Sequence, residues 1–243
     1  MPHRFYFEGS FAPDQLLLEG GEAHHLLHVL RLRVGDTVEV FNGTGAVADA
    51  VITNTTRKSV EVKVIARRES QVSSQVPLIL ATAVPKGDRF RWLVEKAAEL
   101  GVTRLVPLVT ERSSVDPGEN RLKKLQQTIV AAAKQSGQMR LMELAPLQKW
   151  EEFLEEVCQA DHRMLIADPG GSPLDLLNST SADAVASPVI LLIGPEGGFS
   201  SEELQTALEK GATPVKLSEA ILRIETAAIL FAGLVRLATM QSE

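Results

Sequence analysis

Short runs of alternating apolar and polar residues occupy the first seventy positions. "FYF" (5–7) opens as a strand, and "EAHHLLHVLRLRVGD" (22–36) spaces its apolar residues as a short amphipathic helix ending in a turn at Gly35-Asp36. "TVEVFNGTGAVADAVIT" (37–53) alternates around Asn42-Gly43, a pair favoured in two-residue hairpins. In "SVEVKVIARR" (59–68), Val60, Val62 and Val64 share one face and Glu61 and Lys63 the other. The pattern predicts a small β-rich domain, a barrel being one form of it. The polar stretch 67–76 marks its end, so the expected domains are 1–72 and 73–243.

From residue 78 the period changes. Apolar runs at 78–84, 104–110, 163–168, 189–194 and 213–217 predict strands, and amphipathic segments between them predict helices. "DRFRWLVEKAAELG" aligns Phe90, Leu93, Val94, Ala97 and Leu100 and closes on Gly101; "RLKKLQQTIVAAAKQSG" closes on Gly137 in the same way. A further acidic helix is expected over 147–160. In "SSEELQTALEKG", Ser200 and Glu203 have the spacing of a capping box. Strands alternating with helices predict an α/β fold with a mostly parallel sheet covered on both faces. "ETAAILFAGLVRLATM" (225–240) is apolar on nearly every side and predicts a helix buried in the core or in an interface.

Composition narrows the function. The formal net charge of −6 over 243 residues argues against a protein that coats nucleic acid non-specifically, while leaving room for a local basic patch. No run of eighteen apolar residues predicts a membrane span, and the start lacks the apolar stretch of a secretory signal. With Cys158 as the sole cysteine, an intramolecular disulfide is impossible and a reducing, cytoplasmic setting is expected. His24, His25 and His28 have metal-like spacing without a second pair, so no metal is expected.

Two stretches carry candidate chemistry. "LLIGPEGGFSSEE" (191–203) runs from strand through a glycine loop to a helix start, the place where open α/β sheets hold ligands. The Lys-Ser/Thr pair of a P-loop and the G-x-G-x-x-G pattern are both missing, which argues against nucleotide hydrolysis. A purely structural turn would account for the glycines but has no need of Glu196. In "LSEAILRIETAAIL" (217–230), Arg223 and Glu225 interrupt an apolar run. They either cap the terminal helix and pair with solvent or each other, or line a pocket with the glycine loop.

These stretches, with "HHLLHVLRLRVGD" (24–36), "NGTG" (42–45), "VEKAAELGV" (94–102), "PLVTERS" (107–113) and "AKQSGQ" (133–138), resemble the SPOUT-class ribosomal RNA small subunit methyltransferase E family along the whole chain. The resemblance implies a C-terminal trefoil-knotted methyltransferase domain with a parallel sheet, a PUA-like N-terminal RNA-binding β-barrel, and a homodimer. It implies S-adenosyl-L-methionine as cofactor and N3 of a uridine in 16S rRNA of the small ribosomal subunit as acceptor. Leu192, Gly194, Glu196, Gly197, Leu217, Ser218, Ile221 and Leu222 would surround the cofactor. Arg223 would stabilise charge developing on the uracil oxygens, Glu225 would orient it through a bidentate pair, and Glu196 or Glu111 would take the N3 proton. Candidate RNA contacts are Arg31, Arg33, Arg112, Arg121, Lys123 and Lys124, with a solvated helix face as the plainer account of 121–124.

The chain departs from the family pattern at Ser218, where a glycine is usual, and at Ala220, where an arginine is usual. Lys134 stands for an acidic residue, and Gln138 for an arginine. Two other readings stay open: a ribose 2'-O RNA methyltransferase on the same fold, or an RNA-binding assembly factor with weakened catalysis, which the changes at 218 and 220 support.

Overall fold

The computed structural model describes residues 3–12, 14–69, 76–158, 162–173 and 187–240. Contacts divide the chain into two compact units, one of residues 1–73 with 133–141 and one of 74–132 with 142–243. The expected boundary near 72 therefore carries an addition: segment 133–141 belongs with the first unit.

The first unit contains β1 (His3–Tyr6), β2 (Gln15–Glu19), α1 (Gly20–His24), β3 (Thr37–Phe41), β4 (Ala46–Thr55) and β5 (Ser59–Glu69), with sheet order β1-β3-β4-β5-β2. The β3–β4–β5–β2 pairings are antiparallel, and β1 joins β3 in parallel. Val60 and Val62, on the predicted apolar face, are buried with Phe5, Leu16, Leu18, Val38, Val40 and Ile52. The expected helix over 22–36 is shorter. α1 widens into one π-helical stretch, His25–Val29, and ends at Arg31, the one described non-glycine residue with positive φ (56°). A left-handed residue there ends the helix as glycine normally does. The expected two-residue hairpin is a four-residue loop, 42–45, in which the Asn42 N–H donates to the Ala46 carbonyl.

Segment 133–141 is held to this sheet by directed bonds. Arg4 donates to the carbonyls of Ala133 and Gln138, and main-chain bonds join Gly45 to Met139 and Leu141 to Gly43. Lys134 lies 2.7 Å from the Glu22 carboxylate, so the lysine at a usually acidic position has its own counter-charge.

The second unit contains β6 (Leu78–Ala83), α2 (Arg89–Glu99), β7 (Arg104–Val109), most of α3 (Glu119–Ser136), β8 (Glu143–Leu144), β9 (Gln148–Lys149), α4 (Trp150–Val157), β10 (Arg163–Pro173), β11 (Val189–Ile193), α5 (Ser201–Glu209), β12 (Thr213–Lys216) and α6 (Ile224–Met240). Every pairing in its sheet, ordered β12-β10-β11-β6-β7-β8 with β9 also on β7, is parallel. Strands β10, β11 and β12 therefore end at one edge. β12 lies beyond β10, and α6 then returns to pack on β6, β11 and α2. Ile166, Ile190 and Leu192 pack against Trp150, Phe153 and Leu154 of α4 and Ala207 of α5. Side chains alternate along a strand, so Val189, Leu191 and Ile193 take the opposite face.

Arg236 fixes α6. Its buried guanidinium donates to the carbonyls of Leu100, Val76 and Gly101, with no carboxylate paired to it among the described residues. Burial pushes its pKa below the usual arginine value. Arg236→Met should strand these acceptors and lower unfolding free energy by about 2–4 kcal/mol in urea titrations; a loss under about 1 kcal/mol would mean that water replaces the guanidinium.

Candidate active site

The parallel register turns three strand ends into one cavity. Ala167 and Asp168 at β10, Ile193 and Gly194 at β11, and Val215 and Leu217 at and after β12 line a pocket of about 250 Å³ with Phe199, Ser218, Ile221 and Leu222. Both candidate stretches, 194–198 and 217–222, contribute to its wall.

The glycine loop is shaped by its own chemistry. The Gly198 N–H donates to the Pro195 carbonyl at 2.8 Å, closing a turn in which Gly198 has φ 69°. Such a φ is strained for residues with a side chain. At Gly194 an added Cβ would lie 3.0–3.1 Å from the ring and main-chain nitrogen of Phe199, so a side chain there would require Phe199 to shift by a few tenths of an ångström. Ser200 then caps α5. Its Oγ accepts from the Glu203 N–H while Glu203 Oε2 accepts from the Ser200 N–H, the expected capping box.

Seven of the eight proposed cofactor residues line this pocket: Gly194, Glu196, Gly197, Leu217, Ser218, Ile221 and Leu222. Leu192 instead lies in the core beneath α4 and α5, because strand alternation turns it away from the face that Ile193 shares with the pocket. The Ser218 hydroxyl accepts from the Ala220 N–H at 3.1 Å, and its backbone does not have the positive φ that would demand glycine.

The expected Arg223–Glu225 pair does not form. Arg223 stands just ahead of α6 and is exposed, while Glu225 in the first turn of α6 turns inward and is only 7% exposed. The guanidinium that faces Glu225 is that of Arg89, at 3.6 Å, which also lies 3.8 Å from Glu196. Glu225 Oε2 is buried without a hydrogen-bond partner among the described residues. Glu111 stands apart from the pocket. It lines a separate cavity with Trp150, Glu203 and Thr206, and its N–H donates to Glu203 Oε1 at 2.7 Å.

Two of the basic residues expected at RNA serve the protein's own main chain. Arg112 donates to the carbonyls of Gly197, at 2.8 Å, and Phe199. Arg121 donates to the Gly87 carbonyl. Lys123 forms an exposed pair with Glu119, while Arg31, Arg33 and Lys124 are exposed.

The residues that sequence reasoning overlooked are Arg89 and Asp168. A cation in the first turn of a helix opposes the helix dipole, a signal that Arg89 answers to acids elsewhere. Asp168 ends the regular part of β10 ahead of Pro-Gly-Gly, where the β10–β12 register breaks between Ala167 and Ser172. Arg112 yields the clearest test of the loop. Arg112→Ala should speed amide exchange at Gly198 by about tenfold while global unfolding is little changed. Unaltered exchange would show that the glycine turn holds itself.

The RNA methyltransferase domain family matches residues 72–236, and the RNA methyltransferase PUA domain family matches residues 18–65. The ribosomal RNA small subunit methyltransferase E of Synechocystis is 31% identical over 227 residues, spanning 89% of this chain and 72% of that protein. The Bacillus subtilis protein of the same name is 26% identical, over 86% and 85%. Among solved structures, a Neisseria gonorrhoeae ribosomal RNA small subunit methyltransferase E bound to S-adenosyl methionine superposes with a TM-score of 0.83 at 26% identity, covering 97% of both chains. A Legionella pneumophila chain solved with bound SAM gives 0.84 at 31% identity, covering 98% of both. With both domains matched in order and the glycine loop and the 217–222 segment walling one pocket, the chain belongs to the ribosomal RNA small subunit methyltransferase E family.

Proposed function

We propose that this protein transfers a methyl group from S-adenosyl-L-methionine to N3 of a uridine in 16S rRNA of the small ribosomal subunit. The observation that carries the reading is the single cavity formed by residues 194–198 and 217–222. Its lining fits the cofactor. Gly194 leaves main chain bare where a Cβ would crowd Phe199, Ile221 and Leu222 offer apolar surface to an adenine, and Glu196 offers negative charge to a sulfonium. Gly197, Leu217 and Ser218 complete the residues that would hold it. Bound there, S-adenosylmethionine supplies an electrophilic methyl carbon.

The chain's own groups handle the acceptor. N3 of neutral uridine carries a proton and is a poor nucleophile until that proton leaves. The Glu196 carboxylate, at the pocket, is better placed to accept it than Glu111 in the separate cavity. Arg223, exposed at the start of α6, donates to the uracil oxygen on which charge develops. The uracil reaches this edge unpaired or flipped from its stack. Arg31 and Arg33 on the first unit and Lys123 and Lys124 on the second supply phosphate contacts that offset the net charge of −6.

The active form is a homodimer working in the cytoplasm. Ile221 is 88% exposed, and Trp92, Leu230 and Leu237 also present large apolar side chains to solvent from α2 and α6. A second copy of the chain would cover them. No helix among the described residues is long and apolar enough to cross a membrane.

Nucleoside mass spectrometry of small-subunit RNA treated with the protein and S-adenosylmethionine should reveal 3-methyluridine. A 2'-O-methyl nucleoside, or no methylation of naked RNA or assembled particles, would overturn the assignment. Arg223→Ala should lower the methylation rate by about 10- to 100-fold or more with the fold intact; wild-type turnover would remove Arg223 from the reaction. In light scattering the wild-type protein should have twice the chain mass and Leu237→Glu the mass of one chain, whereas a monomeric wild type would exclude the dimer.

A further inference from the structure

The ionisable groups on the pocket wall are acids, while the cation closest in sequence, Arg223 between the lining residues Leu222 and Ile224, is exposed and does not line it. Among the described residues the pocket's ionisable lining side chains are Asp168 and Glu196, both acids, with no lysine or arginine. The nearest ion-pair partner of Glu196 is Arg89, at 3.8 Å, and that guanidinium is divided with the buried Glu225. Two carboxylates around one guanidinium leave a net charge of −1. Arg112 touches the same loop through the Gly197 and Phe199 carbonyls and does not line the cavity. Asp168 accepts from the Gly170 N–H at 2.7 Å, and among the described residues no cation pairs with it. Apart from the Ser218 hydroxyl, the remaining described wall is apolar side chains and main chain, a medium that screens charge less than water.

We infer that Asp168 and Glu196 select the pocket's ligand by charge, favouring a sulfonium nucleoside over the thioether it leaves behind. The inference rests on the methyl-donor reading above and extends it to product release. S-adenosylmethionine carries a sulfonium, an ammonium and a carboxylate, for a net charge of +1. In transfer the S–CH₃ bond breaks with its electron pair kept by sulfur, the N3–CH₃ bond forms, and the N3 proton passes to a carboxylate. The remaining S-adenosylhomocysteine is neutral overall. The attraction that draws the donor in is thus removed by the reaction itself, and the product is held less tightly than the donor. Asp168 lies within β10 and Glu196 on the loop after β11, so their contributions are separable.

Calorimetry tests this without turnover, using S-adenosylmethionine, S-adenosylhomocysteine and sinefungin, in which a protonated amine replaces the methylsulfonium. The wild-type protein should bind S-adenosylmethionine and sinefungin about 5- to 10-fold more tightly than S-adenosylhomocysteine, with the difference shrinking as salt rises. Asp168→Asn and Glu196→Gln should each reduce that ratio about two- to five-fold, and the double variant should bring it near one. Thermal melting establishes that the variants fold. Equal or tighter binding of S-adenosylhomocysteine by the wild type, or a ratio unmoved in both variants, would overturn charge selection and leave the methyl-donor reading standing. Sinefungin binding as weakly as S-adenosylhomocysteine would assign the preference to the methyl group and overturn it also. Failure of all three ligands to bind would defeat the methyl-donor reading itself.

Discussion

Three parallel strands ending at the same edge are the constraint on which the site depends. β10, β11 and β12 run in one direction side by side, so their C-terminal loops converge without a dedicated scaffold. The chain then returns from β12 to place α6 against β11 and β6, which brings 217–222 beside 194–198. A pocket walled by such loops is largely main chain. Glycine suits 194 because a side chain there would crowd Phe199, and 198 because a positive φ would strain one.

Arginines hold this arrangement more than they decorate it. Arg236 ties α6 to the end of α2, Arg112 ties the end of β7 to the glycine loop, and Arg121 ties α3 to the turn before α2. Each satisfies carbonyls that no helix or ladder reaches, a task suited to a planar group with five donors. Arg89 differs in facing two carboxylates, and it connects the glycine loop to the first turn of α6 by charge. The cost of stranding Glu225 without it is the cost of a buried unpaired acid.

Periodicity made most of the framework legible. The five predicted strands of the second unit, the capping box at Ser200 and the apolar α6 all follow from local spacing, because burial imposes a period of 2 or 3.6 on any chain. β2, β8 and β9 escaped it, the last two being only two residues long. Segment 133–141 escaped for another reason: a helix that begins in one unit and ends in the other has one unbroken pattern, and bonds such as those from Arg4 and Gly45 show where its end belongs.

The amino-acid sequence by itself determined the strands, the helices, the glycine loop and the two stretches that wall the pocket. Tertiary structure alone decided which charges meet. Leu192 left the site by strand parity, and Arg223 lost Glu225 to Arg89, 136 positions away in the chain, because Glu225 turns inward. Spacing along a chain sets which face a residue occupies. Which partner stands opposite that face is set by packing between elements distant in sequence, and no local pattern encodes it.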